Sequence, residues 1–267
     1  MTLVDDADLE RRFSGLRRLY GSAGAVRIRA ARVAVIGVGG VGSWAAEALA
    51  RSGVAGLTLI DLDHVSESNI NRQIQAVGAT LGMAKVEALR QRIADIHPGC
   101  MVDAVEEFVD ETNWPGLLRA PVEAVIDACD NVRAKATIAA WALATATPLV
   151  VVGAAGGKRA AERVEVGDLG EVTHDPMMAA LRQRLRKFHA APREGSIGIA
   201  CVFSREPVAA PAAAEAASDA AVSDGSLNCH GYGSSVAVTA TFGMVAAGRA
   251  LEFLASPEGR ARPPATL

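Results

Sequence analysis

The run Gly37-Val38-Gly39-Gly40-Val41-Gly42 strips side chains from a stretch of backbone, so that its amides can approach an anion closely. It follows the apolar run Arg32–Ile36 and opens a helical pattern. The free amides therefore stand at the positive end of a helix, where a phosphate is stabilised. Asp61 lies nineteen residues after Gly42, at the end of a second apolar run, where a carboxylate accepts bonds from ribose hydroxyls. These residues ask for a nucleotide without saying which. On them alone a nicotinamide dinucleotide is the default.

The next block changes that reading. Asp61-Leu62-Asp63-His64-Val65-Ser66-Glu67-Ser68-Asn69-Ile70-Asn71-Arg72-Gln73 gathers donors that a dehydrogenase does not need and a triphosphate does. Arg72 offers a planar fork for phosphate oxygens, and Asn69 and Gln73 add neutral donors. Lys85 opens a later helix, one residue before its apolar stripe, and supplies a point charge. Two cations offset the charge that develops on a leaving pyrophosphate. Asp127 and Asp130 follow a fourth strand, and a carboxylate there suits Mg²⁺, which prefers hard oxygens. The alternatives are a solvated Lys85 and an Asp130 that caps the next helix.

The elements that must hold these residues alternate. Strand-like runs fall at 32–36, 56–61, 101–105, 122–128 and 148–153. Helical patterns fall after the glycine run, at 83–96 and at 131–146. Apolar strands with helical crossovers predict an α/β fold: a Rossmann-like, mostly parallel sheet with helices on both faces. The reading is a single domain over 1–267, with a nucleotide-binding core at about 25–155 and an α/β C-terminal extension at 156–267. In the extension, 176–189 reads as a helix with Met177, Leu181, Leu185 and Phe188 on one side. Residues 206–226 are rich in Ala, Pro and Ser and read as a mobile loop. Residues 234–255 read as a buried or interface helix, because Arg249 and Glu252 leave too short an apolar stretch for a comfortable membrane crossing.

Net charge is −3 over 267 residues, half of them hydrophobic. Nucleic acid must then be met by a local patch. Arg182, Arg184, Arg186, Lys187 and Arg193 form one, with no acid among residues 181–193; it reads as a phosphate-backbone contact or as a solvated helix face. Cys100, Cys129, Cys201 and Cys229 form no CxxC pair, which argues against structural zinc and a disulfide framework. They read as reduced thiols of a cytoplasmic protein, and the polar, acidic N-terminus does not read as a signal peptide. Cys229 beside His230 is a weak nucleophile candidate.

Together, residues 37–43, 61–73, Lys85 and Asp130-Asn131 resemble the nucleotide site of the ubiquitin-activating and sulfur-carrier-adenylating superfamily. The resemblance implies ATP as co-substrate. It gives Asp61 the ribose, Asn69, Arg72 and Lys85 the triphosphate, and Asp130 the Mg²⁺. It also implies a homodimer in which an N-terminal arginine, Arg18 or its neighbour Arg17, is lent to the partner. The small-residue helix around 236–247 is one surface for that dimer, or equally part of the core. Sulfur-carrier activators of this type carry two CxxC pairs, absent here, and there is no room for the large cysteine domain of ubiquitin activators. Whole-chain resemblance, carried by RFSGLRRLYG, SNINRQIQA, DPMMAALRQRLRK, CVFSREPV and GYGSSVAVTATFGMVA, is to the bacterial tRNA threonylcarbamoyladenosine dehydratases. It implies tRNA as substrate, sulfur-transfer proteins as possible partners and no stable membrane association. A zinc-free adenylyltransferase for a sulfur carrier or ubiquitin-like protein is the alternative, and a non-catalytic nucleotide-binding scaffold a third.

Overall fold

A computed structural model of the chain describes residues 8–209 and 232–256. Short aliphatic runs become the strands. β1 (Arg32–Ile36), β2 (Gly56–Ile60), β3 (Met101–Val105), β4 (Ala124–Asp127) and β5 (Leu149–Val152) all pair in parallel. Every residue of β2, β4 and β5 is buried, as strands covered on both faces require.

Two further strands, unmarked in the sequence reading, complete the sheet. β6 (Val164–Asp168) and β7 (Ala200–Ser204) are antiparallel to each other, and β7 runs parallel to β5. The order is β3-β2-β1-β4-β5-β7-β6. The C-terminal extension thus shares one sheet with the nucleotide core.

Side-chain alternation along the strands feeds two cores. Val33, Val35, Leu57, Leu59 and Ile126 face α2 (Gly42–Arg51), α3 (Lys85–Ile96) and the last helix, α6 (Val236–Ala255). Ala34, Ile36, Val125 and Val151 face α4 (Val132–Thr145) and α5 (Pro176–Phe188).

The N-terminal helix α1 (Leu9–Ala30) was not marked by periodicity. Gly21 departs from helical geometry within it, at φ 71°. Tertiary contacts hold it instead: Phe13 meets the His97 ring edge-on at 4.8 Å, and Arg12 donates to the Ile96 carbonyl at 2.7 Å.

α6 takes up the buried alternative. It is long and apolar enough to cross a membrane, yet Val238, Phe242, Ala246, Ala250 and Leu254 are buried in the core. A Cβ on Gly243 would collide with the Val41 carbonyl and come within 2.8 Å of Trp44 Cβ. The small residues of 236–247 therefore let α6 settle on α2, and that face is core.

A correction concerns residues 206–209. Glu206 accepts bonds from the Arg159 and Ala160 amides, and the Ala209 amide donates to the Gly157 carbonyl at 2.8 Å. The Gly157 amide in turn donates to the Gly233 carbonyl at 2.9 Å. The rest of the Ala-rich segment lies outside the described residues.

Candidate functional site

A cavity of about 760 Å³ opens at the carboxyl ends of β1, β2, β4 and β5, within the size range of small-molecule sites. The glycine run forms its floor. Gly37 takes φ 76°, and a Cβ there would lie 2.7 Å from the Cys129 amide nitrogen. Gly39 and Gly40 line the cavity; a Cβ on Gly39 would meet nothing nearer than Gln73 Nε2 at 3.9 Å. Room for a phosphate is therefore at Gly39. Gly42 does not line the cavity. It allows the turn to close, since a Cβ on it would strike the Gly37 carbonyl.

Asp61 stands at the end of β2 with both oxygens engaged. Oδ2 accepts the Val38 amide at 2.7 Å and Oδ1 accepts the Asp63 amide at 2.9 Å. It ties the glycine run to the next segment as well as facing the cavity. Burial raises its pKa, opposed by the Lys85 charge and these two amides. Lys85 is buried at the first position of α3, its Nζ 2.6 Å from Asp63 Oδ2 and 3.9 Å from Asp61 Oδ1. Backbone bonds from Lys85 to Asp63 and from Val65 to Met83 hold α3 against this segment.

A short 3₁₀ turn, Glu67–Asn69, aims the donors inward. Asn69 Oδ1 caps the Ser66 amide at 3.1 Å and Gln73 Oε1 accepts from Gln75 Nε2 at 3.2 Å. Each acceptor is fixed, and the amide nitrogens remain the donors. Arg72 is buried on the cavity wall. Its Nη1 is held by the Ser68 carbonyl at 2.6 Å and by Asn71 Oδ1 at 3.0 Å, while its buried Nε has no partner. The side chain packs on Gly40, where a Cβ would come within 3.3 Å of Arg72 Cγ and Cδ, and its orphaned guanidinium N–H is a donor still to be satisfied.

At the end of β4 the carboxylates separate. Asp127 is fully buried, ion-paired to Lys135, and does not line the cavity. That corrects its expected role as a ligand: the β4 pleat turns it into the second core. Asn131 lines the cavity, but its Oδ1 caps α4 by accepting the Arg133 and Ala134 amides at 2.9 and 3.2 Å. Because Asn131 is the cap, Asp130 is left exposed at the cavity, without a hydrogen bond or ion pair among the described residues. A lone free carboxylate fits Mg²⁺, which keeps waters and takes one or two carboxylates besides phosphates. No cluster of three His, Cys, Asp or Glu able to form an all-protein cage exists among the described residues.

Several cavity residues escaped the sequence reading: the 107–110 loop with Phe108, the 153–156 turn, Met177 at the start of α5, and Thr239 on α6. The first two follow β3 and β5, so the rule that ligands sit at strand carboxyl ends pointed to them. Met177 and Thr239 arrive only through tertiary packing.

Arg18 is exposed on α1 and outside the cavity of its own chain. Arg17 pairs with Glu10, whereas Arg18 makes no ion pair among the described residues. On α5, Arg182 Nη1 is spent on the Leu169 and Val172 carbonyls at 3.0 and 2.8 Å, and Arg186 Nε on the Pro192 carbonyl at 2.9 Å. Arg184 is ion-paired to Glu111 at 3.3 Å, so the expected five-cation patch is smaller, centred on Lys187 and Arg193. Cys129 lines the cavity, but burial, then Asp127, push its thiol well above the ordinary range. It is a poor nucleophile. Cys229 and His230 lie outside the described residues.

A family model for ThiF matches residues 12–265. The chain belongs to the ThiF family. Among ThiF relatives, the tRNA threonylcarbamoyladenosine dehydratase of Escherichia coli is 39% identical over 266 residues, covering 97% of this chain and 99% of that one. The crystal structure of the E. coli enzyme in complex with ATP superposes with TM-score 0.83 at 38% identity, over 98% of this chain and 100% of that one. A molybdopterin-synthase adenylyltransferase of E. coli is 37% identical over 123 residues, but these are 46% of this chain and 49% of that one.

Proposed function

We propose that this chain is an ATP-dependent tRNA threonylcarbamoyladenosine dehydratase. The observation that carries the reading is Arg72, packed against Gly40 with a partnerless Nε, together with Lys85 and a free Asp130 on the same cavity. That set is built to hold a triphosphate and release pyrophosphate. Full-length likeness to a dehydratase, against likeness to an adenylyltransferase over less than half of either chain, selects this reading over activation of a sulfur carrier.

The substrate carboxylate attacks the α-phosphorus of ATP. An O–P bond forms, the bond to the β-phosphate oxygen breaks, and pyrophosphate leaves. Arg72 and Lys85 take up the charge of the leaving group. A nucleophile within the same modification then attacks the carbonyl carbon of the acyl-adenylate, loses its proton and expels AMP. One carboxylate oxygen departs on AMP, so the net change in the RNA is loss of water. The second step is intramolecular, and proximity supplies much of its rate. No cysteine is needed.

Asp61 holds the ribose. Asp130 would hold Mg²⁺, which would supply charge neutralisation to the phosphates. Arg18, free and exposed on α1, is the residue lent across a homodimer. A cytoplasmic location and sulfur-transfer partners belong to the same reading. The deciding experiment incubates the protein with ATP and tRNA bearing N6-threonylcarbamoyladenosine, then digests the tRNA and weighs its nucleosides. Loss of one water from that nucleoside, with AMP formed in equal amount, is expected. Unchanged nucleosides alongside pyrophosphate exchange driven by a small Gly-Gly-terminated protein would replace this reading by the adenylyltransferase.

A further inference from the structure

Phe188 is the last residue of α5 and continues its apolar stripe. Met177, Leu181 and Leu185 are buried on that stripe, but Phe188 is 58% exposed. The helix runs past the core that its stripe was built to meet. Two cations sit over the exposed ring: Arg184 Cζ lies 5.2 Å from its centroid and Lys187 Nζ 4.9 Å. An exposed aromatic flanked by cations, in a chain of net charge −3, concentrates positive charge on a π-face. That is the composition by which single-stranded nucleic acid is held: bases stack on the ring and phosphates meet the cations.

The position suits such a role. The other end of α5 touches the cavity through Met177, and eleven residues of helix set Phe188 about 16 Å further along its axis. Arg184 also reaches Glu111 at 3.3 Å. Glu111 follows the 107–110 loop, whose Phe108 lines the cavity and is itself 62% exposed. The surface is therefore continuous from the cavity wall to Phe188. Lys187 and Arg193, without ion pairs among the described residues, remain available to phosphates.

We propose that Phe188 stacks on an unpaired base of the RNA substrate, a few nucleotides from the base that enters the cavity, with Lys187 and Arg193 on the intervening backbone. The inference rests on the tRNA reading above and adds the residue that reads the loop as single-stranded.

The test measures tRNA affinity by fluorescence anisotropy, together with KM and kcat, for wild type, Phe188→Ala, Phe188→Leu and Phe188→Trp. Stacking contributes enough per base that Phe188→Ala should weaken tRNA binding roughly 5- to 150-fold. KM for tRNA should rise with it, while kcat at saturation and ATP affinity stay unchanged. Phe188→Leu keeps an apolar side chain without a π-face and should behave like the alanine variant. Phe188→Trp should retain wild-type affinity. Wild-type affinity in the alanine or leucine variant would overturn the inference while leaving the function standing. So would a change in assembly mass by light scattering in Phe188→Ala, which would mean that a second copy of the chain covers the ring. A wild-type protein that binds no tRNA would remove the inference and the reading beneath it together.

Discussion

Lys135 and Asp127 form an ion pair with both side chains fully buried, Nζ 3.2 Å from Oδ1 and 3.0 Å from the Asp127 carbonyl. The lysine rises from α4 to clamp the last residue of β4, and Asp127 Oδ1 in turn accepts the Cys129 amide at 3.2 Å. Burial opposes the lysine's charge most strongly, but Asp127 together with the neighbouring Cys129 and Cys201 outweighs it, and the lysine's pKa is raised. The pair therefore holds the turn that presents Asp130 to the cavity.

Breaking this pair from one side should be costly. Lys135→Met leaves a carboxylate in the core, and loss of one partner of a buried pair costs about 3–5 kcal/mol. Urea denaturation should show a midpoint well below wild type, and Lys135→Met combined with Asp127→Asn should recover part of the loss. A single variant as stable as wild type would mean that Asp127 does not need its cation.

Arg72→Ala and Lys85→Ala should act on chemistry and leave the fold intact. Each removes charge from the leaving pyrophosphate, so turnover should fall roughly 100-fold or more. Circular dichroism should stay unchanged. Normal turnover in both variants would take them out of the mechanism.

His97 gives the fold a pH dependence. Burial, then the charges of Arg29 and Arg12, lower its pKa from the ordinary 6.5. The folded state thus favours neutral His97, and this contribution is fully present above 6.5. As pH falls below that value the unfolded chain takes up a proton that the folded chain refuses, and stability is lost down to the lowered folded value. Melting temperature should drop over this window, and His97→Phe, which preserves a ring against Phe13, should flatten the drop. Parallel curves for the two proteins would acquit the histidine.

The described thiols should be inert in the native protein. Burial pushes Cys100 up to about 12, and Cys129 and Cys201 are also well above the ordinary value, first by burial and then by Asp127 and Asp175 respectively. Alkylation at mildly alkaline pH followed by peptide mass spectrometry should leave all three unmodified until the chain is denatured. Rapid labelling of Cys129 would reopen a covalent route.

The nucleotide half of the fold was legible because its signals are local. An aliphatic run, a glycine turn and a helix start lie adjacent in sequence, and Asp61, Arg72 and Lys85 follow within one βα unit and the start of the next helix. Asp127 misled because a carboxylate at a strand end looks the same whichever way the pleat turns it, and only the buried Lys135 decides. α1 was hidden by its glycines, and it is held by contacts with His97 and Ile96 that no window of sequence contains. β6 and β7 are short, and β7 carries a fully buried run, Ala200–Ser204, that periodicity does not separate from helix. Phe188 obeyed its helical stripe and still fell outside the core, since a stripe records the helix and not the extent of the sheet beneath it.

One residue, Gly157, holds both Ala209 and Gly233, the first by its carbonyl and the second by its amide, and the cavity wall at 153–156 is its immediate neighbour. Gly157 also takes φ 70°, and a Cβ there would lie 2.7 Å from Val208 Cγ1. A side chain at that single position would therefore pull on both anchors at once, and on the cavity wall beside them.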